Sequence, residues 1–206
     1  MTPLNKIPLS AWRRLAAGLA LGGLVSCGGV GSGGSGMTAG VTDGTVNGFG
    51  SVIVDSVSYD DRIASVVSEV APGSDALSQV KLGQRISLQF DATGVAHTVR
   101  VDAALAGPVT SVDSANQLSM LGQTVMININ GVAGPITQFG DGYSQLADVL
   151  PGDSVAVHGL LVRQTGSYVI QATRIDKLST APAYLRATGI VSNLGSTFTK
   201  IKNNLG

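Results

Sequence analysis

The sequence predicts an all-β protein made of two tandem units, and three observations support this prediction. Short segments rich in Val and Ile alternate with Gly, Asp and Pro, as in strands joined by turns. No long segment has the period of about 3.6 residues that marks an amphipathic helix. A set of apolar residues and a glycine recurs at a constant offset of 69 positions, which is typical of duplicated units.

The first 26 residues have the three parts of an export signal: a basic start, an apolar centre and small residues before the cut. Lys6, Arg13 and Arg14 supply the positive charge. The apolar centre has about 11 residues, fewer than the roughly 20 that a membrane-spanning helix needs. We therefore predict that residues 1–26 are a removable signal peptide. Arg13-Arg14 leaves both the general secretory and the twin-arginine export routes open.

Cys27, the only cysteine of the chain, ends the string Leu24-Val25-Ser26-Cys27. This string resembles the lipobox of bacterial lipoproteins, in which an aliphatic residue, a tolerant position and a small residue precede the lipidated cysteine. The resemblance implies cleavage before Cys27, a diacylglyceryl group on its sulfur and attachment to a membrane. Gly28 stands where an aspartate would retain such a protein in the inner membrane, so the resemblance implies the outer membrane. A single thiol forms no internal disulfide, which leaves an incidental cysteine as the alternative.

A tract of Gly and Ser follows the cysteine. Such a tract lacks the apolar surface needed to fold, so we predict a flexible lipidated tether over residues 27–41. Its expected reach of about 20 Å would hold the folded units clear of the lipid head groups.

The charge balance of the remaining chain is mildly acidic. Three of the 13 basic residues lie in the signal peptide, so ten remain beside 13 acidic residues. Without a basic cluster the chain is not expected to bind nucleic acid. The scarcity of aromatic side chains leaves carbohydrate binding without support.

Two stretches of the chain match each other along their length. Each opens with Gly-x-Val and contains a Leu-x-x-Val-x-x-Gly motif, in which the glycine reverses the chain before an alternating apolar strand. We predict units at residues 42–104 and 105–184, packed together because about 60 to 70 residues bury only a marginal core. The matching residues are Gly44, Val46, Leu77, Val80, Gly83, Ile86 and Leu88, and Gly107, Val109, Leu146, Val149, Gly152, Val155 and Val157.

Residues 185–206 open with a third Gly-x-Val, at Gly189-Ile190-Val191. They are too few for another unit. We interpret them as a partial third repeat, or as a terminal strand that completes the second unit.

One further string stands at the start of the first unit, where residues 47–54 read Asn-Gly-Phe-Gly-Ser-Val-Ile-Val. With the lipobox, the tether and the repeated glycine turn, it gives a chain that resembles the bacterial lipoprotein family carrying domain of unknown function 5666 (DUF5666). The resemblance covers both units and implies small OB-like β-barrels, which would remove exposed strand edges. It implies no established reaction. Asp55-Ser56 replaces the family's usual Asn-Gly, which leaves the tight turn at this position open.

His97 and His158 are the only histidines, so a general base or a metal site would be expected to use one of them. Strand alternation puts His97 on the face of Val99 and Val101, which predicts partial burial. It puts His158 on the face opposite Val157, which predicts a solvated side chain. We expect both to be structural rather than functional.

An arginine and an aspartate two residues apart recur in both units. Arg100 and Asp102 match Arg174 and Asp176 at an offset of 74, and each pair shares one strand face. A surface ion pair is the main interpretation. The alternative is a ligand-facing pair, in which case these four residues and Phe49 are the candidate binding residues.

The sequence indicates no catalytic residue, no metal site and no cofactor. Two acidic turns, Asp60-Asp61 and Asp141-Gly142, offer carboxylates to a calcium ion, but neither has the spacing of a calcium loop. No serine lies in a Gly-x-Ser-x-Gly elbow.

These observations favour a lipid-anchored protein of the cell envelope that acts, without catalysis, as an interaction or scaffolding module on the periplasmic or surface face. One alternative is a lipoprotein that binds a small ligand or a polysaccharide on a barrel face, with the Phe49 loop or residues 131–143 as the rim. Another is an envelope hydrolase with a histidine beside a nucleophile. The expected partners are the membrane, through the lipid on Cys27, and an envelope protein or polysaccharide.

Overall fold

The computed structural model describes residues 37–68, 80–113, 116–132 and 134–190. These residues form β-strands and one short 3₁₀ turn, Leu146–Asp148, with no α-helix among them, so the all-β prediction is confirmed. In the same ranges, no helix is long and apolar enough to cross a membrane. Several predictions concern residues outside these ranges, namely the signal peptide, most of the tether, Leu24, Val25, Ser26, Cys27, Leu77 and residues 191–206.

Six strands form the first sheet. They are β1 (Gly40–Gly48), β2 (Val52–Val54), β3 (Val57–Tyr59), β4 (Ser65–Ser68), β5 (Arg85–Phe90) and β6 (Ala96–Val101). Their order across the sheet is β3-β2-β1-β5-β6-β4. All neighbours are antiparallel except β4 and β6, which run parallel. Just beyond β3, Asp60 makes a parallel bridge to Val95, next to β6.

Seven strands form the second sheet. They are β7 (Leu105–Asp113), β8 (Gln117–Met120), β9 (Gln123–Ile127), β10 (Gln138–Gly140), β11 (Ser154–Gln164), β12 (Ser167–Lys177) and β13 (Arg186–Ala187). The order β10-β12-β11-β7-β8-β9 repeats that of the first sheet, and β13 pairs with β7. An additional parallel pairing of β12 with β9 joins five strands into a ring.

The glycine turn predicted from the repeat is present in both sheets. The Gly83 N–H donates to the carbonyl oxygen of Val46, and the Gly152 N–H donates to that of Val109, both at 2.8 Å. Gly83 has φ of +82° and Gly152 has φ of +91°, a left-handed conformation that favours glycine. The Gly-x-Val opening and the glycine turn are thus two ends of one hydrogen-bonded contact.

The predicted match of the two Arg-x-Asp strings is wrong by two residues. Leu88 pairs with Val99, whereas its repeat counterpart Val157 pairs with Ile175. Val99 therefore corresponds to Ile175, at an offset of 76 instead of 74. A shift of two residues keeps every side chain on its face, so the apolar pattern does not distinguish the two alignments.

Each sheet encloses its own core. The predicted inward positions Val80, Ile86 and Leu88 are buried in the first, and Val149 and Val155 in the second. The first core contains Val46, Val52, Val54, Tyr59, Val66, Val80, Ile86, Leu88, Ala96, Val99 and Val101. The second contains Ala104, Leu105, Val109, Leu118, Met120, Val125, Ile127, Tyr143, Val149, Val155, Val157, Ile170, Ala172 and Ile175.

The folded region begins before the first residue of the predicted first unit. β1 begins at Gly40, and Met37 packs against the first core, so ordered packing starts before residue 42. At the other end β13 lies within residues 185–206, the segment interpreted as a partial repeat or a terminal strand, and pairs Arg186 with Ala106 of β7.

A two-residue turn, Asp55-Ser56, connects β2 to β3 at the position where the sequence left a tight turn open. Asp55 has φ of +47° and Ser56 has φ of +72°; the equivalent turn of the second sheet has Leu121 at +48° and Gly122 at +71°. Both are type I′ turns, which require φ above zero at both positions. With its amide oriented to satisfy both groups, the Asn47 side chain accepts from the Ser56 N–H at 3.0 Å and donates to the Ile53 carbonyl at 3.1 Å.

Exchanging serine and glycine between these two turns tests their conformation. We expect Ser56→Gly to raise the free energy of unfolding by about 1 kcal/mol, because glycine adopts φ above zero without steric cost. Gly122→Ser should lower it by about the same amount. Urea denaturation followed by circular dichroism measures both changes, and a loss of stability in Ser56→Gly would show that the turn is not left-handed.

Candidate functional site

Side chains of the second sheet bond to the backbone of the first, in a region that we call the junction. The Thr173 hydroxyl donates to the carbonyl oxygen of Gly83 at 2.6 Å, and Arg174 Nη1 donates to that of Leu82 at 3.0 Å. A Cβ atom on Gly83 would lie 2.5 Å from the Thr173 carbonyl oxygen. Glycine is therefore required at the junction by the close approach as well as by the turn.

A buried histidine lies at the centre of the junction. His158 Nδ1 is 3.3 Å from the backbone nitrogen of Arg85 and 3.1 Å from the carbonyl oxygen of Asp102. A neutral imidazole can accept from the first or donate to the second through this nitrogen, but not both. Its Nε2 lies 4.0 Å from a carboxylate oxygen of Asp176.

The prediction of a solvated His158 is wrong, although its side chain does lie opposite the apolar face of β11. The first sheet covers that opposite face, so His158 is only 3% exposed. Burial lowers the pKa of His158 from 6.5 to about 4, and the nearby Asp176 carboxylate only partly offsets this effect.

The prediction of a partly buried His97 is also wrong, and a bulge explains why. Gln89 pairs with Thr98 but Phe90 pairs with Ala96, so His97 is the unpaired extra residue. Ala96 takes the inward position, and His97 is exposed, with its Nε2 atom 3.2 Å from Asp91.

Asp91 shapes the turn that precedes this bulge. Its carboxylate accepts from the Thr93 hydroxyl at 2.6 Å and from the backbone N–H groups of Thr93 and Val95 at 2.8 and 3.1 Å. These bonds lower the pKa of Asp91 to about 2, with the Thr93 hydroxyl as the largest cause. The Asp91 carboxylate beside His97 is thus already engaged in hydrogen bonds within its own turn.

Arg174 and Asp176 form a buried ion pair instead of the predicted surface pair. Arg174 Nε is 2.8 Å from both carboxylate oxygens, and Nη2 is 2.6 Å from one of them. The guanidinium lies directly over the backbone of Gly140, where a Cβ would be 1.9 Å from Nη2. Burial arises because the first sheet covers this face of β12 and the guanidinium packs over Gly140 of the neighbouring strand β10, a packing that the strand pattern does not reveal.

The other candidate residues are dispersed. Phe49 is exposed in the turn after β1, and Arg100 is exposed on β6. Asp102 is half-buried and lies 3.8 Å from Arg186. The structure brings the Arg174–Asp176 pair into the junction with the Asp102 backbone, and Phe49 is not among the residues that contact it.

A cleft of about 530 Å³ lies beside the junction, between the two sheets. Large aliphatic side chains line part of it, and polar and charged groups line the rest. Residues 131–143, predicted as a rim, do contribute to the wall, whereas Phe49 does not. The lining residues are Asp43, Thr45, Val46, Asn47, Asp55, Leu82, Gly83, Arg85, Pro135, Ile136, Gln138, Leu160 and Thr173.

Two carboxylates and one guanidinium set the charge of the cleft. An Asp55 oxygen accepts from the Thr45 N–H at 2.9 Å, and Arg85 Nη1 donates to the Thr45 hydroxyl at 3.3 Å. The exposed Asp43 carboxylate makes no hydrogen bond or ion pair with any residue that the structure describes. The lining therefore carries a net charge of one negative unit.

The predicted acidic turns are held by basic side chains. Asp60 pairs with Arg62, and Asp141 pairs with Lys81 across the junction. Within the described ranges, no three His, Cys, Asp or Glu side chains lie close enough together to hold a metal ion.

Comparisons with known protein families, with curated proteins and with solved structures find no match for the chain.

The buried histidine makes the stability of the fold depend on pH. Because the folded chain holds His158 at a pKa below its unfolded value of 6.5, the unfolded chain binds a proton more readily between pH 6.5 and about 4. The contribution of neutral His158 to the free energy of unfolding is therefore fully present above pH 6.5 and is lost progressively as the pH falls through this window. We expect the free energy of unfolding to drop by about 2 kcal/mol between pH 7.5 and pH 5.

Urea denaturation at a series of pH values measures this loss. His158→Asn keeps a hydrogen-bonding group near the position of Nδ1 but does not titrate, so its stability should change much less over this range. The matched variant His97→Asn removes the exposed histidine and should retain the loss. An unchanged pH dependence in His158→Asn would contradict the assignment.

Proposed function

We propose that the chain is a lipid-anchored protein of a bacterial outer membrane, in which two OB-like barrel units act without catalysis as an interaction or scaffolding module. The junction carries this proposal, because side chains of the second unit bond the backbone of the first at Gly83, Leu82 and Arg85. Two units tied in this way present one composite surface. We further propose membership of the family carrying domain of unknown function 5666.

Strand pairing supports the barrel interpretation of each unit. In the second sheet, β9 pairs with β12 and completes a ring of five strands. In the first, the bridge between Asp60 and Val95 joins the equivalent elements. Closing the ring removes exposed edges, an advantage for a protein held at high local density on a membrane.

Lipid attachment is tested by labelling cells with radioactive palmitate. The wild-type chain should be labelled and should sediment with membranes, whereas Cys27→Ser should lose the label and be released. A control that combines Cys27→Ser with Ser35→Cys moves the thiol away from the lipobox and should also be unlabelled. Membrane retention of the Cys27→Ser chain would contradict the anchor.

Partner binding is tested by crosslinking in cells. A photoreactive amino acid at Leu160, in the cleft, should capture a defined envelope partner, and one at the exposed Val132, outside the cleft lining, should not. The partner is identified by mass spectrometry and checked by crosslinking in the reverse direction. Equal capture from both positions, or from neither, would count against an interaction surface at the cleft.

A second function, binding of a small ligand, is favoured by the cleft itself. A volume of about 530 Å³ at a junction of two units is in the usual range of small-molecule sites. No aromatic side chain lines it, so stacking on a sugar ring is not available there. We therefore favour a small ligand over a polysaccharide in this cleft.

A further inference from the structure

We propose that the cleft binds a small cationic amphiphile, an ammonium or guanidinium group carried on an aliphatic body. This inference rests on the second proposed function, ligand binding in the cleft, and assigns the chemistry of the ligand. Four features support it: the aliphatic lining, the excess of carboxylates, the position of these carboxylates in the repeat, and the strained turn that carries one of them.

The aliphatic part of the cleft is exposed to solvent. Leu82, Leu160 and Ile136 come from three separate segments, and they are 40%, 44% and 50% exposed. Large apolar side chains that converge in one concavity mark a place where an apolar body can be covered. Each methylene that a ligand buries there should strengthen binding by about fourfold.

The charged part of the cleft favours a cation. Arg85 is half-buried and already donates to the Thr45 hydroxyl, whereas Asp43 is exposed and unpaired among the described residues. Asp55 Oδ1 accepts from the Thr45 N–H, whereas Oδ2 accepts no hydrogen bond from any residue that the structure describes. With two carboxylates against one guanidinium, an anion would be repelled and a cation attracted.

The repeat shows that the fold itself does not need the Asp43 carboxylate, whereas Asp55 also satisfies the Thr45 N–H, a group that the counterpart Pro108 lacks. Strand pairing makes Ala106 the counterpart of Asp43 and Leu121 the counterpart of Asp55. The second unit forms the same strands and the same turn with apolar residues at both positions. The two carboxylates therefore distinguish the first unit from its structural duplicate.

The turn that carries Asp55 has a serine at its second position, where its duplicate has glycine. Ser56 has φ of +72°, a conformation that Gly122 adopts in the second unit without steric cost. The Asp55 carboxylate lies over Gly44, where a Cβ would be 2.6 Å from Oδ2. Strain of this kind is often retained where it holds a functional group in place, and here it holds a carboxylate in the cleft wall.

A titration with hexan-1-amine tests the proposal. The full chain carrying Cys27→Ser is followed by ¹H–¹⁵N NMR, with hexan-1-ol and hexanoate as neutral and anionic controls. Hexan-1-amine should shift resonances of cleft residues and bind about tenfold more tightly than the alcohol, in line with one charge-assisted contact. Affinity should rise by about fourfold per methylene from the butyl to the octyl amine.

Matched variants locate the site. Asp43→Asn and Asp55→Asn should each lower the affinity for hexan-1-amine by about fivefold to tenfold. Asparagine tolerates a positive φ, so the substitution at residue 55 should leave the turn intact. Asp61→Asn removes one charge outside the cleft lining and should have no effect. Ile136→Ser should weaken binding by at least tenfold, whereas Val132→Ser, in the same loop, should leave it unchanged.

The outcomes distinguish two questions: whether the cleft binds a ligand at all, and whether the preferred ligand is a cation. If an acetylated Leu-Lys-Leu amide binds more tightly than hexan-1-amine, the proposal is supported and the cationic group of the ligand is a lysine of a polypeptide. If the peptide binds more weakly, the proposal is supported and the ligand is a free amine. Tighter binding of hexanoate would overturn the cationic assignment while leaving ligand binding in place. Absence of cleft shifts with all three hexyl compounds at millimolar concentration would overturn both.

Discussion

Gly83→Ala is expected to lower the free energy of unfolding by about 3 to 4 kcal/mol. The new Cβ would lie 2.5 Å from the Thr173 carbonyl oxygen, so the two sheets must separate locally. That movement would break the bonds from Thr173 to Gly83 and from Arg174 to Leu82. The remainder of the loss comes from placing a side chain at φ of +82°. Urea denaturation of the full chain carrying Cys27→Ser measures the change.

The repeat supplies a matched control, Gly152→Ala. Gly152 occupies the same turn at φ of +91°, but no atom lies within 4 Å of its added Cβ. We expect Gly152→Ala to cost only the backbone term, about 1 to 2 kcal/mol. The difference between the two variants reports the junction alone, and equal losses would mean that Gly83 does not contact the second sheet.

Asp176→Asn is expected to lower the free energy of unfolding by about 3 to 5 kcal/mol, because it leaves the Arg174 guanidinium buried without its counter-charge. Both side chains are less than 10% exposed, and the pair is held by close contacts from Nε and Nη2. Loss of the pair should also release the Arg174 bond to the Leu82 carbonyl oxygen and weaken the junction.

An exposed pair of the same spacing provides the control. Arg62 contacts Asp60 two residues earlier with similar geometry, but the Arg62 side chain is 85% exposed. Arg62→Gln should leave the midpoint of urea denaturation unchanged, because solvent screens an exposed pair. If Asp176→Asn were as mild as Arg62→Gln, the Arg174–Asp176 pair would not be buried in solution.

The repeat was the most informative part of the sequence for the fold. The sequence placed both glycine turns, at Gly83 and Gly152, and the two Gly-x-Val openings correctly. A turn with positive φ, and the strand that it contacts, restrict the residue types that fit these positions. The alternating residues of β5 were identified for the same reason, since strand alternation is a local property.

Predictions about side-chain environment failed where distant parts of the chain decide them. His158 lies on the expected face of its strand, but that face is covered by a sheet some 70 residues away in sequence. β6 follows the expected alternation except at a bulge that contains His97, and no residue in the sequence indicated this bulge. Burial of Arg174 and Asp176 has the same origin as that of His158.

The cleft could not be predicted because it exists only between the two sheets. Asp43, Arg85 and Leu160 are far apart in sequence and are unremarkable within their own strands. One signal was visible in advance: Ser56 stands where glycine would suit the turn, and its neighbour Asp55 lines the cleft.

The junction joins the two units into one body with a cleft between them. Residual dipolar couplings of backbone N–H groups, measured by NMR on the full chain carrying Cys27→Ser, report whether the two units share one orientation. We predict that β1–β6 and β7–β12 fit a single alignment tensor, and that Gly83→Ala splits it into two. Two different tensors in the parent chain would contradict the claim, since they would show that the units reorient independently.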